Sequence, residues 1–115
     1  MLGHARDPVT DEVLNAMADT IRRRLLFYIY EQGQDGRKLP VQGASVPDFE
    51  ERNVQVALYH VHIPRLEEAG YINWNGDART ISKGPEWVQI EPLLRLIYGH
   101  MNELPDNLKG TRSAA

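Results

Sequence analysis

The side chains able to do chemistry gather in one stretch, where Arg52, Gln55, Tyr59, His60 and His62 fall within eleven residues. On a helix, Arg52, Gln55, Tyr59 and His60 share one side. Arginine and glutamine match the edges of guanine and adenine, and tyrosine suits phosphate. That side is therefore a candidate nucleic-acid face, and it reads equally well as an ordinary solvated one. Arg79 and Lys83 flank a predicted hairpin, from which a basic side chain can reach phosphate or the minor groove. His60 and His62 do not make a metal pair, because residues two apart on a helix point in different directions and helical zinc pairs use a spacing of four. His4 and His100 lie far away in sequence, so neither a metal nor a cofactor is expected. The pairs Glu50-Glu51 and Glu67-Glu68 are adjacent, and a helix directs such neighbours apart. No P-loop, dinucleotide fingerprint or nucleophile elbow occurs, so an enzyme is not expected.

Composition narrows the setting. A chain of 115 residues has the length of one domain, and 42% hydrophobic with 25% charged residues is ordinary for a globular one. No apolar run approaches the roughly 20 residues of a membrane span, and the first residues lack a signal pattern, so a cytoplasmic location is expected. The absence of cysteine excludes disulfides and thiolate metal sites. A net charge of −3 supplies no general basic footprint for nucleic acid, although ten of the thirteen cations are arginine. A GC-rich genome or an acid-leaning halophilic proteome accounts for the same bias.

The elements that must position these residues read in order. Residues 1–9 are a loose lead-in, 10–105 a single domain and 106–115 a tail. Thr10 can cap a helix through Ala18 with Val13, Leu14 and Met17 on its apolar side. Asp19 or Thr20 opens a second helix to about Gln32, with Ile21, Leu25, Tyr28 and Ile29 as its core stripe and Gly33 as its stop. The run Arg22-Arg23-Arg24 reads as a solvated helix face, with phosphate contact as the alternative. From Gln34 to Glu51 Gly36, Pro40, Gly43 and Pro47 interrupt any period, and an ordered loop with one helical turn near Asp48 to Glu51 is expected. The main helix begins near Glu51 or Arg52 and ends at Gly70. Tyr71–Trp74 and Arg79–Ser82 then form two strands around Asn75-Gly76, with loops of two, three or four residues all permitted. After Gly84-Pro85 a last helix runs from about Glu86 to Asn102 and stops before Pro105.

This order resembles the arsenic-repressor-like (ArsR-like) winged helix-turn-helix regulators. Ala18-Asp19-Thr20-Ile21-Arg22-Arg23-Arg24-Leu25-Leu26 is similar to the string that opens their second helix. His62-Ile63-Pro64-Arg65-Leu66-Glu67-Glu68-Ala69-Gly70-Tyr71-Ile72 has the rhythm with which their recognition helix passes into the wing. More narrowly, Ala57-Leu58-Tyr59-His60-Val61-His62-Ile63-Pro64-Arg65-Leu66 looks like a winged-helix family abundant in halophilic archaea, as do Ile90-Glu91-Pro92-Leu93-Leu94 and Glu103-Leu104-Pro105. The likeness spans about residues 10–105. It implies a mainly α fold with a small β-hairpin, an α+β winged helix that dimerises through its terminal helices.

One departure concerns the main helix. Ile63 and Leu66 match the usual core leucines, yet Val54, Ala57, Leu58 and Val61 form an apolar stripe of their own. At 100° per residue Ile63 points about 180° from Val54. Either Pro64 kinks or breaks the helix near Tyr59 to Val61 and re-phases its halves, or the helix is buried on two sides. A kink, with the Gln34–Glu51 segment or a partner chain as cover, is the expected resolution. In the last helix Trp87, Ile90, Leu94, Ile97 and Met101 make a wide stripe. They could complete the core of a single chain, but with Val13 and Met17 they are the expected two-fold dimer interface, since few surfaces remain to bury so wide a stripe.

The expected function is a cytoplasmic, homodimeric, DNA-binding transcriptional regulator. Its site would comprise Arg52, Gln55, Tyr59, His60, Arg79 and Lys83. The alternative is a winged-helix protein-interaction module without base reading, binding its partner at Val54, Leu58 and Val61. A ligand-sensing regulator is not separable from the first reading by sequence.

Overall fold

Asp19 starts the longest element of the first half: its carboxylate accepts from the backbone N–H of Ile21 at 2.7 Å and of Arg22 at 3.2 Å. This is the N-cap arrangement that satisfies donors a helix leaves open, and it launches α2 (Thr20–Gln32). The computed structural model describes residues 8–41, 51–100 and Glu103. Ahead of α2 lies α1 (Pro8–Ala16), which begins two residues before the expected Thr10 and ends two before Ala18. Gly33 closes α2 through its N–H on the carbonyl of Ile29. A tight turn at Gln34–Gly36 follows, with Asp35 and Gly36 both at positive φ.

The segment read as a loop then supplies a strand. In β1 (Leu39–Pro40) the residues Leu39 and Val41 are buried and Pro40 faces out, the alternation of a half-buried strand. A proline suits an edge strand because it withholds a donor that has no partner there. The helical turn expected near Asp48 to Glu51 falls mostly outside the described residues.

From Arg52 to Glu68 the chain is one helical rod in three parts: α3 (Arg52–Ala57), a π-helical turn (Leu58–His62) and α4 (Ile63–Glu68). In the wide turn the N–H of Ile63 donates to the carbonyl of Leu58, five residues back. A continuous α-helix would set Leu58 and Ile63 about 140° apart. Here both are buried, with His62 and Leu66. The extra residue in this turn resolves the conflict between the two stripes by re-phasing, without a break. Pro64 follows at once: a proline removes the donor that a regular helix needs there and crowds the carbonyl four residues back.

Gly70, at φ +85°, ends α4. Its N–H meets the carbonyl of Glu67 at 2.9 Å and that of Tyr71 meets Leu66 at 3.1 Å, the paired bonds of a Schellman cap. The chain enters β2 (Ile72–Asn75), turns, and returns as β3 (Thr80–Lys83), each strand one residue beyond its expected start. Asn75 pairs with Thr80, so the loop has four residues. The Asn75 side chain accepts from the N–H groups of Asp77 and Ala78. Arg79, at φ +54°, makes the left-handed step back into the strand.

Both β1 and β2 pair antiparallel with β3, giving a three-stranded sheet in the order β1-β3-β2. The fold is thus mainly helical with a small antiparallel sheet, an α+β class with one more strand than the expected hairpin. The last helix, α5 (Trp87–Gly99), covers a core built from every element. Val13 from α1 and Met17 just after it join Leu25, Leu26 and Ile29 from α2, Ile72 and Ile81 from the sheet, and Trp87, Ile90 and Leu94 from α5. Five of the residues expected to meet a second copy, Val13, Met17, Trp87, Ile90 and Leu94, are therefore interior to a single chain, and Ile97 packs against the same core. Met101 lies outside the described residues. Among the described residues no helix is long and apolar enough to cross a membrane.

Candidate nucleic-acid interface

The outward side of the rod carries Arg52, Val56, His60 and Pro64 at four-residue steps, all exposed, with Asn53, Val61 and Arg65 beside them. Four-residue spacing makes this one row along the helix. Of the residues expected to read DNA, Arg52 and His60 stand on it. Gln55 is half-buried and Tyr59 is turned to the sheet.

Tyr59 is a structural joint and not the phosphate contact its chemistry suggested. Its hydroxyl donates to the carbonyl of Val41 at 2.6 Å, which ties the rod to the residue after β1. Its ring lies 5.7 Å from that of Trp74 on β2, and the Arg79 guanidinium sits 5.3 Å above it. Tyr59 thus fixes the hairpin against the rod and holds Arg79 at their junction. Lys83 is engaged inside the fold too: its ammonium lies 3.7 Å from the carboxylate of Glu91 and 5.6 Å from the Trp87 ring. Of the six expected residues, Arg52, His60 and Arg79 are exposed.

The arginine run resolves differently from its reading as a solvated or phosphate-binding face. Arg22 and Arg23 are buried, at 7% and 8% exposure. Arg22 donates to the carbonyls of Ala16 and Asn15 at 3.1 and 2.9 Å, and Arg23 donates to that of Met17 at 2.6 Å. These are carbonyls at the end of α1, where a helix leaves acceptors open and cations are favoured. Burial is the first cause that lowers both guanidinium pKa values. Sequence reasoning missed this role, although Asp19 just ahead of the run marks the turn that folds α2 back on the end of α1.

His62 is buried on the inner side of the wide turn, and its Nδ1 lies 3.1 Å from Nη1 of Arg22. The neighbouring His60 is exposed, so the two rings face opposite surroundings. Among the described residues no three histidine, aspartate or glutamate side chains gather as metal ligands would. An open groove of about 600 Å³ runs between Glu12 and Asn15 of α1 and His60, Val61, Pro64 and Arg65 of the rod. Arg65 spans it with a bond to the Asn15 side chain at 3.3 Å.

The apolar face proposed for a protein partner is divided by the same wide turn. Leu58 is 1% exposed and so unavailable, Val54 is half-buried, and Val61 is 47% exposed. Val56, 51% exposed, joins Val61 on the outside.

A family model described as a domain of unknown function (DUF7344) matches residues 14–82, from within α1 to within β3. No curated protein and no solved structure matches the chain.

Proposed function

The chain belongs to the DUF7344 family, whose description names no activity, and we propose that it is a cytoplasmic, homodimeric, winged-helix DNA-binding regulator. The observation that carries this reading is the Tyr59 joint. It locks an exposed helix row, with Arg52 and His60, to a hairpin that carries Arg79. A helix for the major groove and a basic side chain for the adjacent backbone are the two parts such a protein needs on one surface. The element order, with the sheet order β1-β3-β2, is compatible with a winged helix and supports the same reading.

The dimer requires a surface other than the stripe expected from sequence. On α5 the residues Val88, Pro92 and Leu96 are exposed at four-residue steps, opposite the buried Trp87, Ile90 and Leu94. An apolar row on the outer side of a helix whose inner side is already packed suits a two-fold helix–helix contact.

A protein-interaction module without base reading is favoured by one observation, the exposure of Val56 and Val61 on the row that would enter the groove. The deciding experiment is a gel shift on genomic fragments across a salt series. DNA binding predicts discrete complexes whose affinity falls steeply with salt, and no salt-sensitive complex at any concentration favours the protein partner.

A further inference from the structure

His62 stands where three segments meet: the end of α1, the start of α2 and its own wide turn. A guanidinium has donors only, so the 3.1 Å contact requires the His62 Nδ1 to accept from Arg22. The imidazole is therefore neutral, with its proton on Nε2. That nitrogen faces Oδ1 of Asp19 at 3.6 Å, the same oxygen that caps α2. Arg22 is held in turn on the carbonyls of Asn15 and Ala16. The charged groups acting on the ring are Asp19, Arg22 and Arg65.

We propose that this ring is an acid-sensitive latch, which pins the wide turn to the α1–α2 junction when neutral and releases it when protonated at Nδ1. The incoming proton takes the lone pair that Arg22 uses. It sets N–H against N–H at 3.1 Å and one cation against another. Asp19 pulls the other way. Its carboxylate is farther off, 38% exposed and already shared between two backbone amides. Burial comes first, and with Arg22 and Arg65 it holds His62 below the usual histidine value. Release has a mechanical consequence, because the bond from Ile63 to Leu58 sets the rotation of α3 relative to α4. Without its anchor the turn is held only by the burial of Leu58 and Ile63, so the joint between α3, which carries Arg52 and Val56, and α4 loosens. This inference stands whether the exposed row meets DNA or protein.

The test is a pH titration by NMR of the full chain in a His60→Gln background, which removes the exposed neighbour two residues away. Above neutrality the His62 ring should show the Nε2–H tautomer. Its midpoint should lie below the ordinary value of about 6.5, and the amides from Leu58 to Ile63 should shift with that same midpoint. Exchange of the Ile63 amide, corrected for intrinsic pH dependence, should be at least about ten-fold faster in the acid form. His62→Gln keeps an acceptor for Arg22 without a titrating group and should abolish these changes. An Nδ1–H tautomer, a midpoint at or above the ordinary value, or amides that stay still through the midpoint would overturn the latch. Should His62→Gln fail to fold, the titration in the His60→Gln background decides alone.

Discussion

Ile63 donates its backbone N–H to the carbonyl of Leu58, and both side chains are 1% exposed on the same side of the rod. One wide turn therefore decides which apolar residues of the main helix belong to the core. Leu58→Ala should destabilise the fold by about 2–5 kcal/mol, the range for emptying a filled core site. Val61→Ala, three residues on in what the sequence presents as the same stripe, should change stability by no more than about 0.5 kcal/mol. Chemical denaturation midpoints check both. Equal losses would mean that the stripe is buried as a unit and that no re-phasing occurs.

Gly70 and Gly36 share a positive φ, +85° and +72°, but differ in surroundings. A Cβ at Gly70 would meet Cγ of Glu86 at 2.7 Å, whereas at Gly36 nothing lies within 4 Å. Gly36→Ala should lose only the conformational part, about 1–2 kcal/mol. Gly70→Ala should lose more, since the Glu86 side chain must also move and its backbone N–H is bonded to the Gly70 carbonyl. Thermal melts of the two variants give the order, and a smaller loss at Gly70 would contradict the Schellman cap as the junction between rod and sheet.

Stability should depend on pH in a window set by His62. Burial, the largest cause, with Arg22 and Arg65 keeps its folded pKa below the unfolded value of 6.5. The unfolded chain therefore binds more protons between those two values, and stability rises with pH across them. The contribution is complete above about 6.5 and is lost as pH falls from there toward the folded value. Melting temperature should drop between pH 7.5 and 5.5 in the wild type and stay nearly level in His62→Gln. A wild-type midpoint that rises on acidification would reverse the sign and place Asp19 in control of the ring.

Much of this framework is legible in the residues. Asp19 before Thr20 marks the start of α2, Gly70 the end of the rod, and Asn75-Gly76 the turn between β2 and β3. The rest depends on partners distant in sequence. β1 is two residues long and contains Pro40, so no local pattern announces it, and it exists because β3 offers an edge. Arg22 and Arg23 look solvated until α1 folds back and presents its terminal carbonyls. The conflict between the Val54 and Ile63 stripes is visible in sequence, and Pro64 locates it, but periodicity has no symbol for an inserted residue. The wide stripe on α5 suits a second copy or a single core equally by periodicity, and only the packing of α1 and α2 against it places Trp87, Ile90 and Leu94 inside one chain.

The dimer reading now rests on the outer row of α5. Val88→Asp with Leu96→Asp should leave the circular dichroism spectrum unchanged and raise the dimer dissociation constant on the order of 100-fold, about 2.7 kcal/mol. Sedimentation equilibrium measures it. Leu94→Asp, on the opposite side and 0% exposed, should prevent folding altogether. If the double variant associates as tightly as the wild type, α5 is not the contact.

The surface shared by rod and hairpin has its own test. Arg79→Ala removes a cation held over Tyr59 at the joint, with little effect on the fold, because the Arg79 contact with Val41 uses its backbone carbonyl. It should weaken DNA binding about equally for all sequences and lower the salt slope by about one. Arg52→Ala should instead relax discrimination at one base pair, at a cost of about 1–3 kcal/mol for the preferred fragment. Val56→Ser with Val61→Ser separates the competing reading: loss of two exposed apolar side chains leaves phosphate contacts intact but strips a protein partner of its anchor. A gel shift preserved in the double serine variant and lost in the two arginine variants supports DNA. Indifference to both arginines, whatever the serines do, removes the joint at Tyr59 as the organising feature of the binding surface.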